Sequence, residues 1–436
     1  MTTFMSAAAA SRMRFCRRQF TLAKTMKSTN QITASGFRYW PELDLIRGIA
    51  CAMMVINHAG YKWLTNQHAN SGATGVMVFI GSFAPVVFFF VTGVGIGLRG
   101  QRSKKFISVI YKALLLILAN ELLSWAAGRW VTLDFLGFIG LTMIILECIS
   151  RTRRPQIFSA VLFLAVLLLR FIVGPVFKHH VNGAARTLIA NFLGVKEVAY
   201  VGYPICPWLS YPLLGYLLGS FVHRYASKVD DRYKNIAAIA LLLGVSMGGC
   251  AFVMASLGFP VFRWGLLSIA YFIAGIACLS SCIAVCLIIC RVTTLKSFVQ
   301  LTSLRGVSSL AVVPLHYGII ELTSRGGMRI DNKFATILFA SGALVFIAIT
   351  FWAARRVKAT AELIAERINP KVIGALAIVI SCIIGLYVVG HPISTAGYWL
   401  AIFGQLALCM AFAEKRRGAP ATQVAKTSTP NALVTA

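Results

Sequence analysis

An arginine and a histidine in the first long apolar segment have the spacing that most directly suggests chemistry. Arg47 and His58 are eleven positions apart, which is about three turns of an α-helix. Both side chains would therefore project from nearly the same face, separated by about 16 Å along the helix axis. Asp44 precedes Arg47 by three residues, within reach of an ion pair. Ionisable groups inside a membrane span are costly, so this stripe predicts a functional site.

The side chains of this stripe suit the two halves of a group transfer. A guanidinium such as Arg47 binds phosphates or a polarised carbonyl, and a histidine such as His58 can act as a general base toward a hydroxyl. In the alternative interpretation Arg47 only extends to the membrane interface and His58 is a hydrogen-bonded packing residue. The shared face and the nearby acid bring the two interpretations close to even.

A later segment carries a second polar pair, Ser309 and His316. The two residues are seven positions apart, so they share a helix face, and Pro314 opens the helix backbone between them. This pattern predicts that His316 is a second polar partner in the same cavity, with Ser309 as a substrate contact. A hydrogen-bonded histidine without a catalytic role explains the pattern equally well.

Glycine patterns and other ionisable residues in the apolar segments give weaker signals. The GxGxG at Gly93–Gly97 lies on a membrane segment and does not follow a strand, so it indicates close helix packing rather than dinucleotide binding. Gly215 and Gly219 indicate the same kind of packing. Any of the isolated ionisable residues could line a cavity, and the sequence does not say which. These residues are Lys112, Glu121, Asp134, Glu147 and Glu321.

The composition determines which elements must position these residues. Of the 436 residues, 58% are hydrophobic and 13% are charged, whereas a soluble domain has about 25% charged residues. Several windows exceed the roughly 20 apolar residues that cross a bilayer. The apolar runs are continuous, which disfavours a β-barrel. The sequence therefore predicts an all-α polytopic transmembrane helix bundle of about 10–12 spans.

Twelve apolar segments can be delimited, although ten or eleven spans plus an interfacial helix remain an alternative. They lie near residues 45–62, 76–98, 106–127, 131–149, 157–177, 204–222, 236–257, 264–290, 307–323, 334–353, 371–389 and 396–413. If the N-terminus is cytosolic, the connections on that side collect most of the Lys and Arg residues, as the positive-inside rule requires. Both termini are then cytosolic. The net charge of +29 thus indicates topology rather than nucleic-acid binding, because no basic segment has interleaved aromatic residues on a soluble module.

The chain divides by composition into four parts. Residues 1–41 form a basic tail without Asp or Glu, which could imitate an organelle transit peptide but is interpreted as a cytosolic tail. Residues 42–353 form the transmembrane core, 354–417 two additional C-terminal spans, and 418–436 a disordered tail. Most of the eleven cysteines lie in apolar runs and none forms a CxxC motif, which favours packing over metal or disulfides. No metal and no bound cofactor are expected.

Several of these motifs resemble those of membrane acyltransferase family 3 and its relatives. Leu43-Asp44-x-x-Arg47-Gly48-x-Ala50 followed by His58 resembles the opening of that family. Phe88–Gly93 is similar to its FFVLSG stretch, with Thr92 where Ser is usual, and Ser309–His316 to its late SYxxYxxH stretch. Pro207–Gly215 is similar to the PWLGYFLLG element of the heparan-α-glucosaminide N-acetyltransferase-like branch. Leu310 and Val313 depart from the late motif, which weakens the expected role of His316.

The resemblance implies an acyltransferase of the O- or N-acetyltransferase type in the bacterial cytoplasmic (inner) membrane. Acyl-CoA, in the simplest case acetyl-CoA, would be the cytosolic co-substrate, and a hydroxyl or amine of a cell-envelope glycan or lipid-linked sugar would accept the acyl group. Arg47 would contact the donor, and His58 would be the base or a transient acyl carrier, with Asp44 and His316 beside them. Further candidate substrate contacts are Thr92, Trp208 and Lys62.

A secondary transporter or flippase is the alternative function, because intramembrane Arg, Glu and His residues also line ion and substrate pathways. The sequence leaves open the identity of the acceptor, the length of the acyl chain and the oligomeric state. It also does not separate transfer through an acyl-histidine from direct transfer.

Overall fold

The computed structural model describes residues 40–99, 106–129, 132–176, 189, 192–194, 202–260, 267–291, 309–331 and 334–411. These residues form a helical bundle, and no β-strand occurs among them. Residues 1–39 of the predicted basic tail 1–41 and the whole predicted tail 418–436 lie outside the described residues, so the interpretation of both tails stays a prediction. The prediction of an all-α polytopic helix bundle is confirmed.

Sixteen helices are named here in chain order within the described ranges. They are α1 (Pro41–Trp63), α2 (Asn66–Asn70), α3 (Gly72–Gly81), α4 (Ala84–Gly97), α5 (Phe106–Ala126), α6 (Phe135–Ser150), α7 (Pro155–Leu168), α8 (Ile205–Trp208), α9 (Ser210–Arg224), α10 (Ala226–Asp231), α11 (Tyr233–Ser256), α12 (Ile269–Arg291), α13 (Ser309–Arg325), α14 (Ala335–Arg367), α15 (Pro370–Gly390) and α16 (Thr395–Met410). A short π-helical turn, Leu169–Val173, continues α7.

Eight of the helical stretches described are long and apolar enough to cross a membrane. They are 72–97, 106–126, 155–176, 205–224, 233–256, 269–291, 335–367 and 371–390. Helices α6 and α16 are apolar but shorter, with 16 residues each. Helix α1 has 23 residues but carries Glu42, Asp44 and Arg47 in its first two turns, which lowers its apolarity. The eight spans support an integral membrane protein.

Helices α4 and α9 pack closely through the glycines that the sequence analysis assigns to packing. A side-chain carbon added at Gly93 would collide with the backbone of Pro212, and one added at Gly215 would collide with the backbone of Phe90. Gly219 likewise leaves no room beside the backbone of Val94. The interpretation of these glycines as a close-packing stripe is confirmed, because backbone atoms can approach this closely only where side chains are absent.

Helix α1 is held to other helices near both of its ends. Near its start, the Arg291 guanidinium at the end of α12 donates to the Glu42 carboxylate at 3.1 Å and to the Asp230 carboxylate of α10 at 2.8 Å. At its end, the Trp63 indole N–H donates to the Thr323 hydroxyl of α13 at 2.9 Å, and the Ile330 N–H donates to the Trp63 carbonyl at 2.7 Å. These contacts fix α1 along its length, and with it the stripe that carries Arg47 and His58.

The last helices of the chain pack against the earlier ones. The Gln405 amide of α16 donates to the Ala119 carbonyl of α5 at 2.6 Å, and the Trp399 ring lies against Gly318 of α13. Helix α14 runs without a break through residues 353 and 354, where the sequence analysis places the start of the two additional spans. Helix α16 therefore supports α13, which carries the second histidine.

Candidate functional site

The two histidines singled out in the sequence meet side by side. Nδ1 of His58 lies 2.8 Å from Nε2 of His316, although 258 positions separate the residues. Their ring centroids are 5.0 Å apart and the planes are inclined by 24°. Helix α1 contributes one ring and α13 the other. The structure thus brings His316 into direct contact with His58, and the catalytic roles of the two residues stay predictions.

The hydrogen bonds of the pair determine which ring nitrogen of His58 carries a lone pair. Nδ1 of His316 lies 2.9 Å from the Val312 carbonyl, and because a carbonyl only accepts, this nitrogen must be the donor. In a neutral imidazole Nε2 of His316 is then the acceptor, so Nδ1 of His58 must donate to it. A second proton on either ring would place a charge in a buried site, which is costly. Nε2 of His58 is therefore left without a proton.

A cavity of about 250 Å³ lies beside His58. This volume suits one small group rather than a long chain of sugars. The described residues that line it are Met54, Asn57, His58, Gly81, Ser82, Ala84, Pro85, Asp134, Phe135, Tyr203, Val313 and Tyr317. Nε2 of His58 forms no hydrogen bond within the described ranges, so it is the ring nitrogen available to a molecule in the cavity.

Two further polar side chains of the cavity keep unused hydrogen-bonding capacity. The Asn57 amide donates one hydrogen to the Val78 carbonyl at 2.9 Å, and its carbonyl oxygen and second N–H make no bond to a described residue. Asp134 precedes α6 and accepts the Phe135 N–H through Oδ1 at 2.8 Å, which leaves Oδ2 without a partner among the described residues. Asn57 is half-buried and Asp134 is exposed, so these atoms are accessible to a polar ligand in the cavity.

Aromatic rings form the remaining wall of the cavity. The Tyr317 ring stacks on the His58 ring with centroids 5.1 Å apart, and it lies 4.3 Å from the centroid of His316. Tyr203 and Phe135 line the cavity beside Asp134. The stacked rings restrict rotation of His58, and a flat apolar wall next to polar groups suits a molecule with one apolar face.

Arg47 lies at the other end of the helical stripe, outside the lining of the cavity. Its Nη1 is 3.3 Å from Oδ1 of Asp44, so the ion pair expected from their spacing is confirmed. Its guanidinium also lies next to Gly95 of α4, where a side-chain carbon would sit 3.5 Å from Nη2. The helical stripe that carries Arg47 and the GxGxG segment Gly93–Gly97 therefore meet at this point. The Arg47 side chain is 36% exposed and can reach a charged ligand.

The structure does not bring the remaining predicted substrate contacts to the cavity. Ser309 opens α13, and the Thr92 hydroxyl donates to the Phe88 carbonyl of its own helix at 2.9 Å. Trp208 is fully buried in a cluster of aromatic rings that includes Phe89. Lys62 is exposed near the end of α1. The substrate roles of these four residues stay predictions.

Three other acids from the apolar segments have partners nearby in the chain. Glu147 pairs with Arg151 at 2.6 Å, and Glu321 pairs with Arg325 at the same distance. Glu121 accepts from the Asn120 amide at 3.1 Å. These contacts explain the three carboxylates without a ligand and distinguish them from Asp134.

Sequence reasoning did not single out Asn57, Tyr203 or Tyr317, and it treated Asp134 only as one of several buried ionisable residues. Asn57 and Tyr317 directly adjoin the two histidines in the chain, which is the only signal that could have drawn attention to them. Among the residues described, no group of three or more His, Cys, Asp or Glu side chains could hold a metal ion.

Comparison with known families adds one match to this geometry. Residues 38–248 match the family described as heparan-alpha-glucosaminide N-acetyltransferase, catalytic, which is slightly less than half of the chain. The matched part contains Arg47, His58 and Asp134 and ends before His316. No curated protein and no solved structure shows significant similarity to the chain. The match supports a membrane acyltransferase of this branch.

Proposed function

We propose that the protein is an integral-membrane acyltransferase. It moves an acyl group, acetyl in the simplest case, from a cytosolic acyl-CoA to a hydroxyl or amine of a cell-envelope glycan or a similar acceptor. The expected location is the bacterial cytoplasmic membrane. The family match over residues 38–248 supports the reaction class, and the chemistry of the site is argued from the geometry of its side chains.

One observation carries the proposal: His58, whose Nε2 is left without a proton by its contact with His316, lines a cavity that is large enough for one small group. The Val312 carbonyl fixes the tautomer of His316, and His316 in turn fixes that of His58. A histidine held in this form can remove a proton from an acceptor at neutral pH. A histidine that served only packing would be expected to have hydrogen-bond partners for both ring nitrogens.

In direct transfer, Nε2 of His58 takes the proton of the acceptor O–H or N–H as its oxygen or nitrogen bonds to the thioester carbonyl carbon. The tetrahedral intermediate then collapses, the C–S bond breaks, and the CoA sulfur leaves with the proton from Nε2. In the covalent alternative, Nε2 bonds to the thioester carbonyl carbon, the C–S bond breaks, and CoA leaves as a thiolate from a cationic acyl-imidazolium. The acceptor oxygen or nitrogen then bonds to the acyl carbon, the bond from Nε2 to that carbon breaks, and the acceptor proton is released to solvent, where it balances the thiolate.

Arg47 is placed to hold the donor rather than to take part in the bond changes. Its guanidinium is about 16 Å along the helix from His58 and pairs only loosely with Asp44, at 3.3 Å. Guanidinium groups bind phosphates well because their donors match the oxygen geometry. The linear pantetheine arm of CoA separates its phosphates from the thioester, so the two ends of the stripe can hold the two ends of the donor.

The test uses purified protein in lipid vesicles with radiolabelled acetyl-CoA and a glycan acceptor. Wild type should transfer label to the acceptor, and His58→Ala should lose the transfer. His391→Ala is the matched control, because His391 is an exposed histidine that stacks on Tyr387 at the end of α15. Label trapped on His58 after acid quenching would select the covalent route.

Two outcomes would overturn the proposal. Transfer that survives His58→Ala at the wild-type rate would remove the base from the mechanism. Accumulation of the glycan inside the vesicles without consumption of acetyl-CoA would instead establish the transporter alternative.

A further inference from the structure

We infer that Asp134 selects the acceptor. Its carboxylate holds a hydroxyl or ammonium group next to the position that is acylated, and it disfavours acceptors that carry an acid there. This inference rests on the proposed function, because it assigns a role within the same cavity. It concerns recognition of the acceptor and leaves the bond changes to His58.

The first argument is the placement of the carboxylate. Asp134 lines the cavity together with His58 and lies immediately before α6, whereas the two histidines lie on α1 and α13. Oδ1 accepts the Phe135 N–H at 2.8 Å, and Oδ2 has no hydrogen-bond partner among the residues described. A carboxylate with one free oxygen that faces a cavity accepts hydrogen bonds from whatever enters.

The second argument is the charge of the cavity. Among the described residues that line the cavity, Asp134 is the one with a formally charged side chain. Arg129 lies near enough to act electrostatically on the carboxylate, but the two form no ion pair within 4 Å. The cavity therefore favours a donor group or a cation and opposes an anion, because charge-assisted hydrogen bonds are strong and like charges repel.

The third argument is the contrast with the other acids of the bundle. Glu147 and Glu321 each have an arginine four residues later at 2.6 Å, and Glu42 has Arg291 at 3.1 Å. Asp134 forms no such ion pair among the described residues, so its charge is available to a ligand in the cavity.

The experiment exploits the helix cap. Asp and Asn serve equally well at the start of a helix, so Asp134→Asn keeps the hydrogen bond to the Phe135 N–H but removes the charge. Asp134→Ala removes both. Binding of glucose, glucosamine and glucuronic acid is measured by calorimetry on each purified protein without donor, and the KM values of acceptor and acetyl-CoA are measured with it.

We expect Asp134→Asn to weaken binding of glucose and glucosamine about tenfold or more. Its preference against glucuronic acid should shrink, while the KM for acetyl-CoA and the melting temperature should stay near wild type. The inference is wrong if Asp134→Asn binds all three sugars as wild type does and only Asp134→Ala is impaired, since that pattern describes a helix cap. It is also wrong if wild type binds none of the sugars.

The binding arm separates this inference from the proposed function. Sugar binding that depends on Asp134, together with no consumption of acetyl-CoA by wild type, would support the role of Asp134 in recognition and overturn acyl transfer. Acyl transfer by wild type that is unchanged in Asp134→Asn would support the proposed function and overturn the role of Asp134 in recognition.

Discussion

The two ends of α1 carry similar kinds of polar side chains and use them differently. At the Arg47 end, charged groups are paired: Glu42 with Arg291, and Asp44 with Arg47. At the His58 end, contact with His316 leaves His58 with an unprotonated Nε2 beside a cavity, and Asn57 and Asp134 keep unused hydrogen-bonding atoms there. The pair of Glu42 with Arg291 holds the first end of the helix in place, and the polar atoms of the second end are available to a molecule that the chain itself does not supply.

The difference shows how burial and pairing together distinguish a structural charge from a functional one. Glu42 is only 5% exposed, and its ion pair with Arg291 offsets the cost of that burial. By contrast, the free polar atoms of Asn57 and Asp134 at the cavity have no partner among the described residues. Burial alone would select Glu42 rather than Asp134 as the functional acid. The lack of an ion-pair partner among the described residues selects Asp134 instead.

The largest effect on kcat is expected when the histidine pair at the His58 end is broken. His58→Ala should lower kcat about a hundredfold to ten-thousandfold, because general-base catalysis contributes on that order. His316→Ala should cost less, about tenfold to a hundredfold, since His58 remains but its tautomer is no longer fixed. The double variant should be no slower than His58→Ala, because the two residues act as one unit. Acetyl transfer with all three variants measures this, and additive losses would mean that the histidines act independently.

The next effect concerns the stability of the Arg47 end. Arg291→Ala should lower the free energy of unfolding by about 3 kcal/mol, because it leaves the buried Glu42 carboxylate without a partner. Transfer activity per folded molecule should change little. Arg325→Ala is the control, since that arginine pairs with Glu321 at the surface with 46% exposure and such pairs contribute little. Denaturation of both variants in detergent measures the difference; equal destabilisation would contradict the structural role of Arg291.

A smaller effect tests whether Arg47 belongs to the donor site. Arg47→Ala should raise the KM for acetyl-CoA about tenfold with kcat nearly unchanged, which corresponds to loss of a hydrogen bond to a charged group. Arg47→Lys should recover part of this, because it keeps the charge but not the planar fork. Kinetics at varied acetyl-CoA concentration decide the point. A fall in kcat at constant KM would place Arg47 with the reacting atoms instead.

The smallest effect is expected at the exposed rim of α1. Lys62→Ala should change both KM values less than twofold, because Lys62 does not line the cavity and exposed charges are screened by salt. Acceptor titrations at two salt concentrations measure it. A clear rise in the acceptor KM would restore Lys62 as the substrate contact that the sequence predicts.

The features that the sequence predicted correctly are those whose geometry is local. The spacing of Asp44 and Arg47 fixes their ion pair, because residues three apart on a helix face each other. The continuous apolar segments predict helices, since a membrane requires every backbone polar group to be satisfied within the segment. Gly215 and Gly219 predict a close contact, although the sequence does not identify α4 as the partner.

The tertiary structure alone decided which polar residues share a site. His58 and His316 lie 258 positions apart, and no periodicity within one helix fixes the partner of another. Glu147 and Glu321 each have an arginine four residues later, a local spacing that the sequence shows, whereas nothing in the sequence indicates what Asp134 faces. Only packing placed Asp134 at the cavity that His58 also lines, since the surroundings of a side chain depend on which helices become neighbours.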